Sequence, residues 1–138
     1  MNITIRAARP ADGNALLELW KRAGIRSNVT DEKRMVRVRL AQDRDLFLVA
    51  WHGRRMVGSL VAGWDGWRGS MARLAVDRAY RGNRIATRLV ERAEARLRKR
   101  GAKRIGALVF ADNTLGQRFW RTAGYRREPT VTRFVKNL

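Results

Sequence analysis

Residues 74–86 read Leu-Ala-Val-Asp-Arg-Ala-Tyr-Arg-Gly-Asn-Arg-Ile-Ala, and they are the most informative segment of the chain. Its apolar start predicts a strand, the Arg- and Gly-containing middle a short loop, and its end the beginning of a helix. A helix N-terminus presents unpaired N–H groups and the positive end of the helix dipole, so a loop entering it is suited to phosphate. Arg78, Arg81 and Arg84 add positive charge to this loop. The stretch therefore predicts a site for a phosphorylated ligand.

The sequence before this stretch predicts one strand, two helices and then an antiparallel hairpin. Ile3 and Ile5 alternate with polar residues as in a short strand, and a helical apolar pattern then runs from Leu16 to Gly24. A second, less regular helix is expected after Thr30. The apolar runs 46–51 and 56–64 predict two antiparallel strands, and Asp65-Gly66 predicts the turn into the strand 71–76.

The sequence after it predicts a helix, a strand, a helix and a final strand. Ile85, Leu89, Ala93 and Leu97 recur every four residues up to Gly101, which is typical of an amphipathic helix with a Gly cap. Residues 105–110 predict a buried strand, residues 115–123 a short helix, and the tail 125–138 a strand interrupted at Glu128-Pro129. The element order β-α-α-β-β-β-α-β-α-β predicts an α/β fold, with a mixed, mostly antiparallel sheet and helices on both faces.

Length and composition restrict the class of protein. With 138 residues, we expect a single domain over residues 1–138. The chain holds 31 Lys and Arg against 12 Asp and Glu, a formal net charge of +19, which favours phosphates, nucleic acid or anionic surfaces as partners. It has no Cys and one His, so we expect no disulfide and no metal site. No apolar run is long enough to span a bilayer or to form a signal peptide, which predicts a cytoplasmic protein.

Two segments, residues 74–86 and 113–125, resemble the GNAT (GCN5-related) N-acetyltransferases, in particular the small single-domain bacterial members. Residues 81–86, Arg-Gly-Asn-Arg-Ile-Ala, are similar to the family fingerprint Q/R-x-x-G-x-G/A. Residues 74–82 are similar to its lead-in L-x-V-x-P-x-Y-R-G, and residues 113–125 to its later N-x-x-A…Y-x-x-x-G-F segment. The resemblance covers nearly the whole chain, including the order of elements, and it implies the same fold.

The resemblance also implies a cofactor site. In this family the loop wraps the pyrophosphate of coenzyme A with its N–H groups, and the preceding strand hydrogen-bonds the pantetheine arm. By matching position, the pantetheine would lie on Leu74, Ala75 and Val76, with help from Asn113. The pyrophosphate would lie on the six loop and helix residues Arg81, Gly82, Asn83, Arg84, Ile85 and Ala86.

Two positions depart from the family pattern. Arg84 stands where the fingerprint has Gly, and it replaces close backbone approach with bulk and a guanidinium. Trp120 stands where the family often has the Tyr that protonates the leaving thiolate, and an indole N–H gives up no proton near neutral pH. Leu108 also stands where many relatives carry a carboxylate.

The sequence therefore leaves the catalytic residues unknown. Weak candidates for moving a proton are Tyr80 and Tyr125, followed by Asp65 and Asp77, each of which also has an ordinary structural interpretation. His52, in a turn, is expected to be exposed and inert.

These observations predict an acetyl-CoA-dependent N-acetyltransferase that uses no metal. Because the net charge repels cations, we expect a neutral or anionic acceptor, such as a small molecule, a protein N-terminus or an RNA-linked amine, rather than a polycationic one. The alternative is a non-catalytic module of the same fold that binds CoA or nucleic acid. The basic surface Arg88–Arg104 is a candidate nucleic-acid contact, and Trp64 and Trp67 are candidates for base stacking. Both a monomer and a homodimer are compatible with the sequence.

Overall fold

The computed structural model describes all residues from Met1 to Leu138. The strands are β1 (Thr4–Ala7), β2 (Phe47–His52), β3 (Arg55–Trp64), β4 (Gly69–Val76) and β5 (Ile105–Ala107). The helices are α1 (Gly13–Arg22), α2 (Lys33–Leu40), α3 (Ile85–Arg100) and α4 (Thr114–Thr122). The chain divides into two compact units, Met1–Ala107 and Leu108–Leu138. The expectation of a single domain stays a prediction.

The five strands form one sheet in the order β1-β2-β3-β4-β5. The first four strands pair antiparallel, and β5 pairs parallel with β4. This mixed, mostly antiparallel sheet confirms the predicted fold class.

Neighbouring residues of β3 show how the helices cover both faces of this sheet. A Cβ on Gly58 would lie 2.9 Å from a methyl group of Ile85 and 3.1 Å from Leu89, so this face is in contact with α3. The next side chain, Ser59, accepts a hydrogen bond of 2.8 Å from the indole of Trp20 on α1. Because successive residues of a strand point to opposite faces, α1 and α3 lie on opposite sides of the sheet. The core between α1, α2 and the sheet contains Leu16, Trp20, Leu40, Phe47 and Val49.

Two strand predictions differ from the structure. The strand expected over 105–110 ends at Ala107. The tail, predicted as a strand over 125–138, contains none, and its apolar residues from Val131 onward are exposed, with Phe134 at 92%. Alternation of apolar and polar residues stabilises a strand only when a neighbour supplies hydrogen bonds, and Pro129 removes one donor.

None of the helices combines the length and the apolar content that crossing a membrane would need. The expected location in the cytoplasm stays a prediction.

Candidate functional site

The predicted phosphate loop connects β4 to α3 in the first unit. Asp77 caps a short 3-10 turn over Arg78–Tyr80, and residues 81–84 then lead into α3. The first helical bond runs from the N–H of Arg88 to the carbonyl of Arg84, at 3.0 Å. The N–H groups of residues 82–87 donate to no other group of the protein, and residues 81–84 are exposed. Six backbone donors without an acceptor in the protein therefore lie together at the positive end of a 16-residue helix.

Arg84 is the N-cap residue of α3 and has left-handed backbone angles, φ 61° and ψ 19°. Glycine adopts this region freely, whereas a residue with a Cβ is strained in it. At this fingerprint position the backbone therefore has a conformation that glycine adopts freely, even though the residue is arginine. The Arg84 side chain is exposed and makes no capping hydrogen bond, so its guanidinium is available to an anion beside the loop.

The second half of β4 has a strand neighbour on one side only. β5 pairs with Gly69, Ser70 and Met71, whereas β3 pairs along β4 as far as Val76. The N–H of Asp77 points towards β3, where it donates to the carbonyl of Val57 at 2.9 Å. Because backbone groups alternate along a strand, those of Leu74 and Val76 point away from β3. This edge can accept an extended ligand as if it were another strand.

A bulge in β4 lies just before that edge. Ser59 pairs with Ala75 but Val61 pairs with Ala72, so two β4 residues oppose one on β3, and one of the two, Arg73, has φ 54°. Buried Ser59 fixes the bulge by donating its hydroxyl to the Arg73 carbonyl at 2.9 Å. The Arg73 guanidinium in turn donates to both carboxylate oxygens of Asp31, at 2.9 and 2.6 Å. This pair joins the segment between α1 and α2 to the bulged part of β4.

The Asp77 side chain holds the start of the loop in place through hydrogen bonds. Its Oδ1 accepts from the N–H of Ala79 at 3.0 Å, and its Oδ2 accepts from Arg55 at 2.8 Å and from Arg22 at 3.3 Å. Burial alone would raise its pKa, but the hydrogen bonds from Ala79 and Arg55 hold the pKa of the Asp77 carboxyl below its ordinary value. A carboxylate that is buried and paired in this way is a structural anchor and a poor proton acceptor.

The two tyrosine candidates are in different surroundings. The Tyr80 hydroxyl shares a hydrogen bond of 2.8 Å with Nδ1 of His52, and the two rings meet edge to face. The prediction that His52 is exposed is wrong, because the residue is half-buried and contacts Tyr80 in the 3-10 turn that leads into the loop, whereas its expected inertness stays a prediction. In the second unit, the half-buried Tyr125 packs edge to face against Trp120, with ring centres 4.8 Å apart.

Two further positions singled out from the sequence lie on α4 in the second unit. Trp120 is buried, and its ring contacts those of Phe119 and Tyr125. Asn113 is exposed and caps α4, accepting from the N–H of Gly116 through its side-chain oxygen at 2.8 Å. A role for Asn113 beside a pantetheine arm stays a prediction, and its side-chain oxygen already accepts one hydrogen bond in the cap.

Four arginines of the predicted basic surface on α3 have partners within the protein. Arg88 and Arg92 donate to the carbonyls of Ile3 and Ile5, on the outer edge of β1. Arg96 donates to the carbonyl of Asp45, and Arg100 pairs with Asp43 and Asp45. This row therefore attaches α3 to β1 and to the turn before β2, and only part of its charge is free for an outside partner.

The structure places nine of the ten predicted cofactor residues in one continuous segment, from Leu74 to Ala86, with Asn113 in the other unit. Sequence reasoning missed Asp31, Ser59 and Arg73. Each of these residues matters through a partner distant in sequence, so no local pattern could have revealed them.

Comparison with known proteins matches a region of the chain that includes this segment. The model of the acetyltransferase (GNAT) family matches residues 14–125. An acetyltransferase of Sodalis glossinidius is 34% identical over 97% of this chain and 94% of its own length. An acetyltransferase of Pectobacterium atrosepticum is 38% identical over 79% of this chain and 77% of its own length.

A solved structure shows the same fold. The paia N-acetyltransferase of Thermoplasma acidophilum, crystallised in complex with coenzyme A, superposes with a TM-score of 0.83. The match has 21% sequence identity and covers 93% of this chain and 92% of the other.

Proposed function

Since this chain belongs to the acetyltransferase (GNAT) family, we propose that its exposed loop 81–84 and the first two residues of α3, Ile85 and Ala86, bind the pyrophosphate of acetyl-CoA and that the chain acetylates a neutral or anionic amine. The family model and the two similar acetyltransferases confirm the family resemblance seen in the sequence, and the protein is an N-acetyltransferase. The specific site residues and the acceptor are the proposed part.

The observation that carries the proposal is the group of unpaired N–H groups at residues 82–87. They lie at the N-terminus of a long helix, where the dipole favours an anion. Arg81 and Arg84, both exposed, add charge on the loop itself. Gly82 has φ 81° and nothing within 4 Å of the position of a Cβ, which leaves the backbone open to a phosphate.

The β4 edge supplies the second part of the proposed site. The outward backbone groups of Leu74 and Val76 would hold the pantetheine arm, which is an amide chain able to pair like a strand. When bound, acetyl-CoA supplies an acetyl group activated as a thioester. The bulge at Arg73, fixed by Ser59 and Asp31, sets where the regular β4 edge begins.

We propose that this chain promotes the reaction mainly by positioning acetyl-CoA and the acceptor amine. Holding two reactants in place removes much of the entropic barrier, by up to about 7–11 kcal/mol in well-oriented systems. Trp120 can donate a hydrogen bond but no proton, and Asp77 is paired with two arginines. We therefore expect solvent water to carry the amine and thiol protons.

The proposed acceptor class rests on charge. The formal net charge of +19 disfavours approach of a polycation. Near the bulge, the Asp31 carboxylate is already paired with Arg73 at 2.6 Å and is mostly shielded from solvent. It therefore gives an incoming ammonium group little attraction.

The test is release of free thiol from acetyl-CoA with a panel of amines. We expect turnover with neutral or acidic amines and little with polyamines or Lys-rich peptides. Preference for a polycationic acceptor would refute the acceptor class. Stabilisation by CoA without turnover for any amine would instead support the non-catalytic alternative, and absence of both effects would refute the CoA site.

A further inference from the structure

We propose that a second site, the hairpin cavity at the far end of the sheet, binds single-stranded nucleic acid. This cavity is about 510 Å³ in volume and lies between the β3–β4 turn and the end of α3. Its principal lining side chains are Trp64, Trp67, Arg68, Arg100, Lys103 and Arg104. No acidic residue lines it.

The turn that forms one wall is held by its own hydrogen bonds. The Asp65 carboxylate accepts from the N–H groups of Trp67 and Arg68, at 2.8 and 2.6 Å. These bonds from Arg68 and Trp67 lower the pKa of the Asp65 carboxyl, which therefore stays ionised and bound to the turn. The N–H of Gly69 also donates to the carbonyl of Arg104 at 3.1 Å, which fixes the turn against the segment leading to β5. The aromatic and basic groups are thus held on an ordered frame.

The exposed indole of Trp67 is the feature that points to a nucleic acid. It is 72% exposed, although tryptophan is usually well buried in a folded chain. The Arg68 guanidinium lies 4.3 Å from the ring centre and holds the indole in place through a cation–π contact. An exposed, oriented aromatic ring among cations is the arrangement on which single-stranded bases stack while their phosphates are neutralised.

The charge at this end of the molecule exceeds what the fold needs. A helix dipole favours basic residues on the last turn of α3, and Arg100 pairs with Asp43 and Asp45. Neither reason applies to Arg68 or Lys103, both exposed on the cavity wall. A polyanion therefore fits this cavity better than a single carboxylate or a neutral ligand.

The hairpin cavity is separate from the phosphate loop. β4 starts at the cavity with Gly69 and ends at Val76 beside the loop, and eight residues of strand span about 23 Å. α3 runs the opposite way, from the loop to the cavity, over about 22 Å. The two sites can therefore be occupied together.

The experiment is fluorescence anisotropy of a labelled single-stranded oligonucleotide of about 12 nucleotides, titrated with the full chain at several salt concentrations. We expect Trp67→Ala to weaken binding about tenfold and Trp67→Tyr, which keeps a stacking ring, to bind within about twofold of the wild type. Lys103→Gln should reduce the slope of log affinity against log salt by about 0.7. Arg37→Gln, the same loss of charge on an exposed position of α2, should leave the slope unchanged.

Three results would overturn the proposal. Equal binding by the wild type and Trp67→Ala would mean that the net charge alone attracts the strand. A duplex of the same length binding as tightly as the single strand would exclude stacking on the indole. Competition by saturating CoA would place the oligonucleotide on the phosphate loop.

Discussion

Arg84→Gly should make the protein more stable, although it removes a long side chain from a functional loop. Arg84 is held at φ 61°, and the left-handed region costs a residue with a Cβ about 1–2 kcal/mol relative to glycine. Glycine in turn gains more freedom in the unfolded chain, which costs about 0.5–1 kcal/mol. The exposed side chain makes no capping bond, so nothing else is lost. The net gain should be about 0.5–1 kcal/mol.

Urea denaturation followed by circular dichroism measures this effect. With a slope of about 2 kcal/mol/M, the midpoint should rise by about 0.3–0.5 M at unchanged slope. Arg84→Ala keeps the Cβ and the strain, so its midpoint should stay near the wild-type value. Arg81→Gly makes the same replacement at φ −64° and should lower stability by about 0.5–1 kcal/mol. If Arg84→Gly were no more stable than Arg84→Ala, the reasoning from backbone strain would be refuted.

Three further changes test the packing around the site. Because the pairing of Asp77 lowers its folded pKa, its contribution to stability is present above the ordinary value of 3.8 and is lost as the pH falls through the lower folded value. Asp77→Asn should therefore cost about 2 kcal/mol of stability at pH 7. Thermal melts at several pH values should also show a weaker loss of stability in acid for this variant. Ser59→Ala leaves the Trp20 indole and the Arg73 carbonyl without their shared partner, so urea titration should show a loss of about 2–4 kcal/mol, and a loss below about 1 kcal/mol would contradict this role. Gly58→Ala places a methyl group 2.9 Å from Ile85 and should lower stability by about 1–3 kcal/mol, whereas Gly106→Ala, with nothing within 4 Å, should have little effect in the same titration.

Local patterns in the sequence were sufficient for the fold class and for the loop between β4 and α3. The apolar period of α3 and the Asp65-Gly66 turn are properties of neighbouring residues, so both were predictable. The tail failed because its apolar alternation has no strand to pair with. The contacts of Arg88 and Arg92 could not be predicted from local patterns, since their acceptors, the Ile3 and Ile5 carbonyls, are more than eighty residues away.

The proposed site was predictable only where its contacts with the ligand would be made by the backbone. Loop 81–86 follows from a short motif, because the N–H groups depend on chain direction and on the start of a helix. The bulge at Arg73 depends on Ser59 and Asp31, from two other segments of the chain. Arg84 departs from the motif in residue type, but its backbone lies in the left-handed region that favours glycine.

In the proposed site, backbone N–H groups of residues 82–87 hold the pyrophosphate of CoA. The decisive measurement is of amide chemical shifts of the ¹⁵N-labelled protein during a CoA titration. We expect the largest changes at residues 82–87, with a second set at residues 74–76 along β4. Large changes confined to other parts of the chain, with these amides unmoved at saturation, would contradict it.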